Sequence, residues 1–147
     1  MTRAPATRTK ALWPFAAGSP RLGTVSEDVT IGVVEDDPSF LRALRRLLSA
    51  AGFSVATFAS AEEFLASESS GAMSCLVLDV HLGGMSGFDL QQTLATAGAP
   101  IPTIFITAHD DAITRERARA GVAYLRKPFR EEALVGAIRE ALQSRGA

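Results

Sequence analysis

Two rhythms of apolar residues take turns along this chain. Nearly unbroken apolar runs occur at Val29 to Val34, Phe53 to Phe58, Ser74 to Leu78, Pro102 to Thr107 and Val122 to Leu125. Between them, apolar side chains recur every three or four positions. The first rhythm predicts strands buried on both faces, and the second predicts amphipathic helices. Asp37-Pro38 supplies a helix cap and a first-turn proline, after which Phe40, Leu44, Leu47 and Ala51 share a face and Gly52 closes the helix. Ser60 and Glu63 form a capping box for a short helix carrying Phe64 and Leu65. A glycine-rich loop, Asp79 to Ser86, opens onto a helix with Phe88, Leu90 and Leu94. A polar helix is predicted over about 110–120, with Ile113 and several alanines as its thin apolar surface. The last, over about 130–143, carries Leu134, Ile138, Ala141 and Leu142 inward.

Five such β-α units predict an α/β domain: a five-stranded, doubly wound parallel sheet with helices on both faces. In such sheets the ligand crevice lies outside the carboxyl ends of the strands. Four of the five runs end there in residues suited to phosphoryl chemistry. The first runs into Glu35-Asp36, the third into Asp79, the fourth into Thr107 and the fifth into Lys127-Pro128.

Composition narrows the classes without choosing among them. The 147 residues suit one domain, expected over 29–143, with a flexible basic extension at 1–28 and a short tail at 144–147. Residues 1–26 hold Arg3, Arg8, Lys10 and Arg21 with no acid, and Pro14 interrupts their one apolar piece, which argues against an export signal. A natural start nearer Val25 or Ser26 is the other reading of this segment. A formal net charge of −1 gives no global field to recruit nucleic acid or an anionic membrane. No apolar stretch approaches the roughly 20 residues that span a bilayer. The single cysteine, Cys75, lies inside a strand-like run and reads as a small buried hydrophobe, which fits a reducing cytoplasm.

Converging carboxylates carry the chemistry. Two of them about 4 Å apart repel by roughly 4 kcal/mol at an effective dielectric near 20. Glu35, Asp36 and Asp79 together therefore call for protons or a cation, and an all-oxygen donor set suits Mg²⁺, or Mn²⁺. One acid is then a candidate nucleophile for acyl phosphate formation, with a lysine and a hydroxyl to bind the other phosphoryl oxygens.

The segments Val33 to Pro38, Leu76 to Gly87, Ile106 to Ala108 and Lys127 to Phe129 resemble the receiver domains of two-component response regulators, in the order and approximate spacing of that family. The resemblance covers about Val29 to Gln143. It implies a flavodoxin-like strand order, 2-1-3-4-5. It also implies that Asp79 is the phosphoacceptor, with Glu35, Asp36, Asp79 and the backbone carbonyl of His81 holding Mg²⁺. Thr107 becomes the switch hydroxyl, Lys127 the phosphoryl-pairing cation and Tyr124 the aromatic rotamer switch. The Lys127-Pro128 bond is cis in similar domains. His81 and His109 occupy positions that border the phosphoryl group and set its hydrolysis rate. No cysteine or third histidine stands with them to complete a tetrahedral zinc site.

Two departures stand out. Similar domains often have proline where this chain has Gly83, so a more mobile loop is expected after Asp79. Aspartate is common where Glu35 stands.

The expected function is that of a stand-alone receiver rather than an enzyme acting on external substrates. A sensor histidine kinase or phosphotransfer protein supplies the phosphoryl group. Its transfer alters the surface of the fourth helix, fifth strand and fifth helix for an effector protein or a homodimer. A rival reading is the receiver part of a longer DNA-binding transcriptional regulator. Another is a Mg²⁺-dependent aspartyl-phosphate phosphatase; enzymes of the haloacid-dehalogenase type carry a second acid two residues after the nucleophile, where this chain has His81.

Overall fold

The computed structural model describes residues 29–146, with side chains through Gln143; the basic extension expected over 1–28 lies outside them. Five strands, β1 (Thr30–Val34), β2 (Ser54–Phe58), β3 (Cys75–Asp79), β4 (Thr103–Thr107) and β5 (Ala123–Arg126), form one sheet in the order β2-β1-β3-β4-β5. All four pairings are parallel. The helices are α1 (Pro38–Ala50), α2 (Ala61–Ala66), α3 (Gly87–Thr96), α4 (Ala112–Arg117) and α5 (Glu131–Gly146). The expected α/β class, strand order and double winding are all present.

Alternation along the strands sorts the core into two layers. Leu76 and Leu78 of β3 join Val34, Phe64, Leu90 and Phe105 on the α2–α3 side. Cys75 and Val77 face the other way, among Leu44, Leu48, Ile104, Leu134 and Ile138 on the α1–α5 side. All residues of the central strands β3 and β4 are buried, whereas β5 at the edge is only partly so.

Three details differ from the sequence pattern. The inner line of α1 runs through Leu44 and Leu48, with Phe40 and Leu47 partly buried, because positions four apart stay on one face better than those three apart. In α4, Ile113 is 75% exposed while Thr114 and Ala118 pack inward. The N-cap Asp111, whose carboxylate accepts from Thr114 N at 2.7 Å, turns that small residue toward the sheet. Helix α5 continues past Gln143 to Gly146, so through 146 the segment expected as a tail prolongs the helix.

Register aligns the strand ends. Val34 pairs with Leu78, so Glu35 and Asp79 stand level; Asp79 pairs with Ile106, and Thr107 with Arg126. Glu35, Asp79, Thr107 and Lys127 are thereby set around one end of the sheet.

Candidate functional site

Glu35 is 1% exposed, and its two carboxylate oxygens are divided between neighbours. Oε2 accepts from Asp37 N at 3.0 Å, and Oε1 takes Lys127 Nζ at 3.0 Å. Asp79 is similarly buried: Oδ1 accepts from His81 N at 3.1 Å and Oδ2 takes Lys127 Nζ at 3.0 Å. Asp36 is exposed at the rim, where its Oδ2 accepts from Gly83 N at 3.2 Å. One ligand atom from each of Glu35, Asp36 and Asp79 lies within 4.8 Å of the others.

Three carboxylates and one ammonium leave excess negative charge. Burial pushes the Glu35 carboxyl up to about 7, with the charge of Asp79 adding to the rise, against opposing hydrogen bonds from Asp37 and Lys127. Burial alone would lower the Lys127 ammonium, but Glu35 and Asp79 outweigh it and hold that group above its ordinary value. These directions are compatible because Lys127 keeps Asp79 as a partner when Glu35 is protonated. A hard divalent cation on the same oxygens meets the same charge excess, so the donor set fits Mg²⁺ or Mn²⁺.

Backbone positions around the acid cluster are tightly set. A Cβ at Gly87 would stand 2.4 Å from the carbonyl oxygen of Asp79, so only glycine lets α3 begin this close to β3. The loop between them is pinned by carboxylates at both ends. Gly83 donates to Asp36, and Met85 N donates to Glu62 Oε2 at 2.9 Å, with Gly84 between them at φ +112. The Met85 amide also holds the Glu62 carboxyl below its ordinary value. Gly83, unlike a proline, carries a backbone N–H, and its hydrogen bond to Asp36 anchors this loop.

On the β4 side, Thr107 closes a turn: its hydroxyl accepts from His109 N at 3.0 Å and donates to His109 O at 3.3 Å. The Tyr124 hydroxyl is within reach of that same carbonyl, at 3.3 Å, and of Asp110 Oδ1, at 3.1 Å. His81 and His109 meet edge to face, ring centroids 4.3 Å apart, across the two loops that border Asp79. The Lys127–Pro128 peptide is cis, and Lys127 N donates to Thr107 O at 2.7 Å.

The structure brings together every residue singled out from the strand ends. It adds two that the pattern places elsewhere. Glu62 reads as an ordinary first-turn acid of α2, and Phe40 as one of the apolar residues of α1. Phe40 also places its ring 4.5 Å from Lys127 Nζ. A lysine near a first-turn aromatic gives no periodic signal, so only the tertiary fold reveals this contact.

Residues 31–139 match the response regulator receiver domain family, and the chain belongs to it. It is 45% identical over 115 residues to the response regulator protein TodT of Pseudomonas putida, covering 77% of this chain and 51% of TodT. Identity to the transcriptional regulatory protein FixJ of Bradyrhizobium diazoefficiens is 32% over 115 residues, or 77% of this chain and 56% of FixJ. A crystal structure of FixJ-N superposes with a TM-score of 0.72 at 32% identity, over 80% of this chain and 96% of that one. The chain spans about half the length of the curated relatives it matches.

Proposed function

We propose that this chain is a phosphoacceptor switch, and that Asp79 receives a phosphoryl group from the phosphohistidine of a sensor kinase or phosphotransfer protein. The supporting observation is the shared ammonium: Lys127 Nζ lies 3.0 Å from both Glu35 Oε1 and Asp79 Oδ2. An Asp79 carboxylate oxygen forms the new P–O bond as the P–N bond to the donor imidazole breaks, and that imidazole leaves with the electron pair and takes up a proton. Lys127 then balances charge on the phosphoryl oxygens rather than on free carboxylate. Glu35, Asp36, Asp79 and the backbone carbonyl of His81 would hold Mg²⁺ or Mn²⁺, which neutralises the carboxylate and phosphoryl charge meeting there.

Thr107 gives up its turn with His109 to bond the phosphoryl group, and Tyr124 follows inward from Asp110. His81 and His109 border the product and tune its hydrolysis. The surface of α4, β5 and α5 changes with these movements, and an effector protein or a second copy reads it. The action is cytoplasmic, and the chain performs its own phosphorylation and dephosphorylation without turning over external substrates. Among the described residues, no helix is long and apolar enough to cross a membrane.

The length of the relatives favours a second reading, in which the domain serves a longer transcriptional regulator. An aspartyl-phosphate phosphatase is disfavoured by His81, whose amide holds Asp79 where such enzymes place a second acid. Incubation with a small phosphodonor and Mg²⁺ tests the proposal. One phosphoryl group per chain, absent in Asp79→Asn and in excess chelator, is the expected result. Many turnovers of a phosphomonoester overturn it.

A further inference from the structure

The Lys127 ammonium has three N–H bonds, and the carboxylates of Glu35 and Asp79 take two of them. The Phe40 ring lies beside the same ammonium, its centroid 4.5 Å from Nζ. That ring is itself held from two sides. The Asp37 cap, accepting from Ser39 N at 3.0 Å and Phe40 N at 3.4 Å, fixes the first turn of α1 that carries it. Phe129, two residues after Lys127, packs edge-on against it with centroids 6.1 Å apart at 66°. The lysine side chain is 22% exposed, so part of its hydration shell is already stripped.

We infer that Phe40 is a positioning residue for Lys127, its π-face holding the ammonium at the crevice while the charges beside it are rearranged. The inference rests on the phosphoacceptor reading. When Asp79 is phosphorylated, one of the two anionic partners of Lys127 becomes an acyl phosphate and the charge moves outward onto the phosphoryl oxygens. A hydrogen bond to a fixed acceptor would resist the corresponding shift of Nζ. Attraction to a ring quadrupole falls off gradually with position and survives a small displacement. A merely space-filling phenylalanine would lack this dependence on the electrons of the ring.

Ring fluorination separates the two roles, because it withdraws π-electron density with little change of shape. Phenylalanine bearing one, two, three and five ring fluorines is incorporated at position 40, and the thermal stability of each protein is recorded. The first readout is affinity for beryllofluoride with Mg²⁺, a stand-in for the phosphoryl group. The second needs no ligand: the NMR order parameter of the Lys127 ε-methylene. Affinity should fall stepwise with fluorination, by about tenfold over the series, and the ε-methylene should become progressively more mobile while stability stays level. A flat order-parameter series overturns the inference whatever the affinities do. Native protein that does not bind beryllofluoride counts instead against the phosphoacceptor reading; a graded order parameter would then still show the ring holding the lysine.

Discussion

The hydroxyl of Tyr124 lies 3.1 Å from Oδ1 of Asp110, the same oxygen that receives Arg115 Nη1 at 3.0 Å. This pairing ties the edge strand to the residue just before the N-cap of α4, and through Arg115 to the helix itself. Burial, and next the Asp110 hydrogen bond and charge, raise the phenol above its ordinary value. Asp110→Ala should therefore lower the Tyr124 titration midpoint without returning it fully to 10.0, since the burial remains. The chain has a single tyrosine, so absorbance at alkaline pH reads this group directly. A protonated phenol is favoured by the fold. Its contribution is present below 10.0 and is lost as pH rises through the raised value.

Glu35 should make metal-free protein less stable as pH rises. Its folded value of about 7 exceeds the ordinary 4.5, so the fold favours the protonated carboxyl. That contribution is fully present below 4.5 and is lost as pH rises through about 7. At 1.36 kcal/mol per unit, the full loss is on the order of 3 kcal/mol. Urea denaturation in chelator at pH 5 and pH 8 checks this. Relative to the native chain, Glu35→Gln should gain stability across the interval, and added Mg²⁺ should stabilise the native chain more at pH 8 than at pH 5. A difference independent of pH contradicts the charge assignment.

The amide of Gly83 and a divalent cation are expected to compete for Asp36 Oδ2. Gly83→Pro removes the donor, and Mg²⁺ should then bind about threefold to tenfold more tightly, in keeping with the ~1 kcal/mol net value of such a bond. Gly83→Ala retains the N–H, and its Cβ would stand an unstrained 3.8 Å from that oxygen, so its affinity should match the native one. Calorimetric titration distinguishes them; equal affinity in all three proteins excludes competition.

Gly87→Ala should damage stability and the acceptor together. The added methyl would fall 2.4 Å from the Asp79 carbonyl oxygen and 3.2 Å from Val80 Cα, both backbone atoms that cannot rotate away. A cost of about 2 kcal/mol is expected from overpacking. Denaturation midpoints measure it. Labelling by a small phosphodonor should slow even at temperatures where the variant is fully folded, and unchanged labelling would show that Asp79 does not feel this contact.

The strand ends were legible because a parallel sheet forces every polar residue that terminates an apolar run to one edge. Glu35, Asp79, Thr107 and Lys127 followed from that rule alone. The resemblance added what the rule cannot supply, including the strand order and the parts assigned to Tyr124 and the histidines. The orientation of Ile113 is not legible in the sequence because a six-residue helix carries too little periodicity to fix its phase, which the Asp111 cap decides. Contacts such as Phe40 with Lys127 and Glu62 with Met85 were illegible for another reason. They join elements far apart in the chain through side chains whose local duties already explain them.

Confinement in this sheet is greatest at its centre and falls toward both edges. Asp79 ends a fully buried strand, braced by its neighbours β1 and β4 and by the start of α3. Toward β5 the packing thins, and α4 is a short helix tethered by exposed side chains such as Arg115 and Arg117. The acceptor end of β3 is thus the most confined part of the sheet, and its two edge strands, β2 and β5, are the least confined.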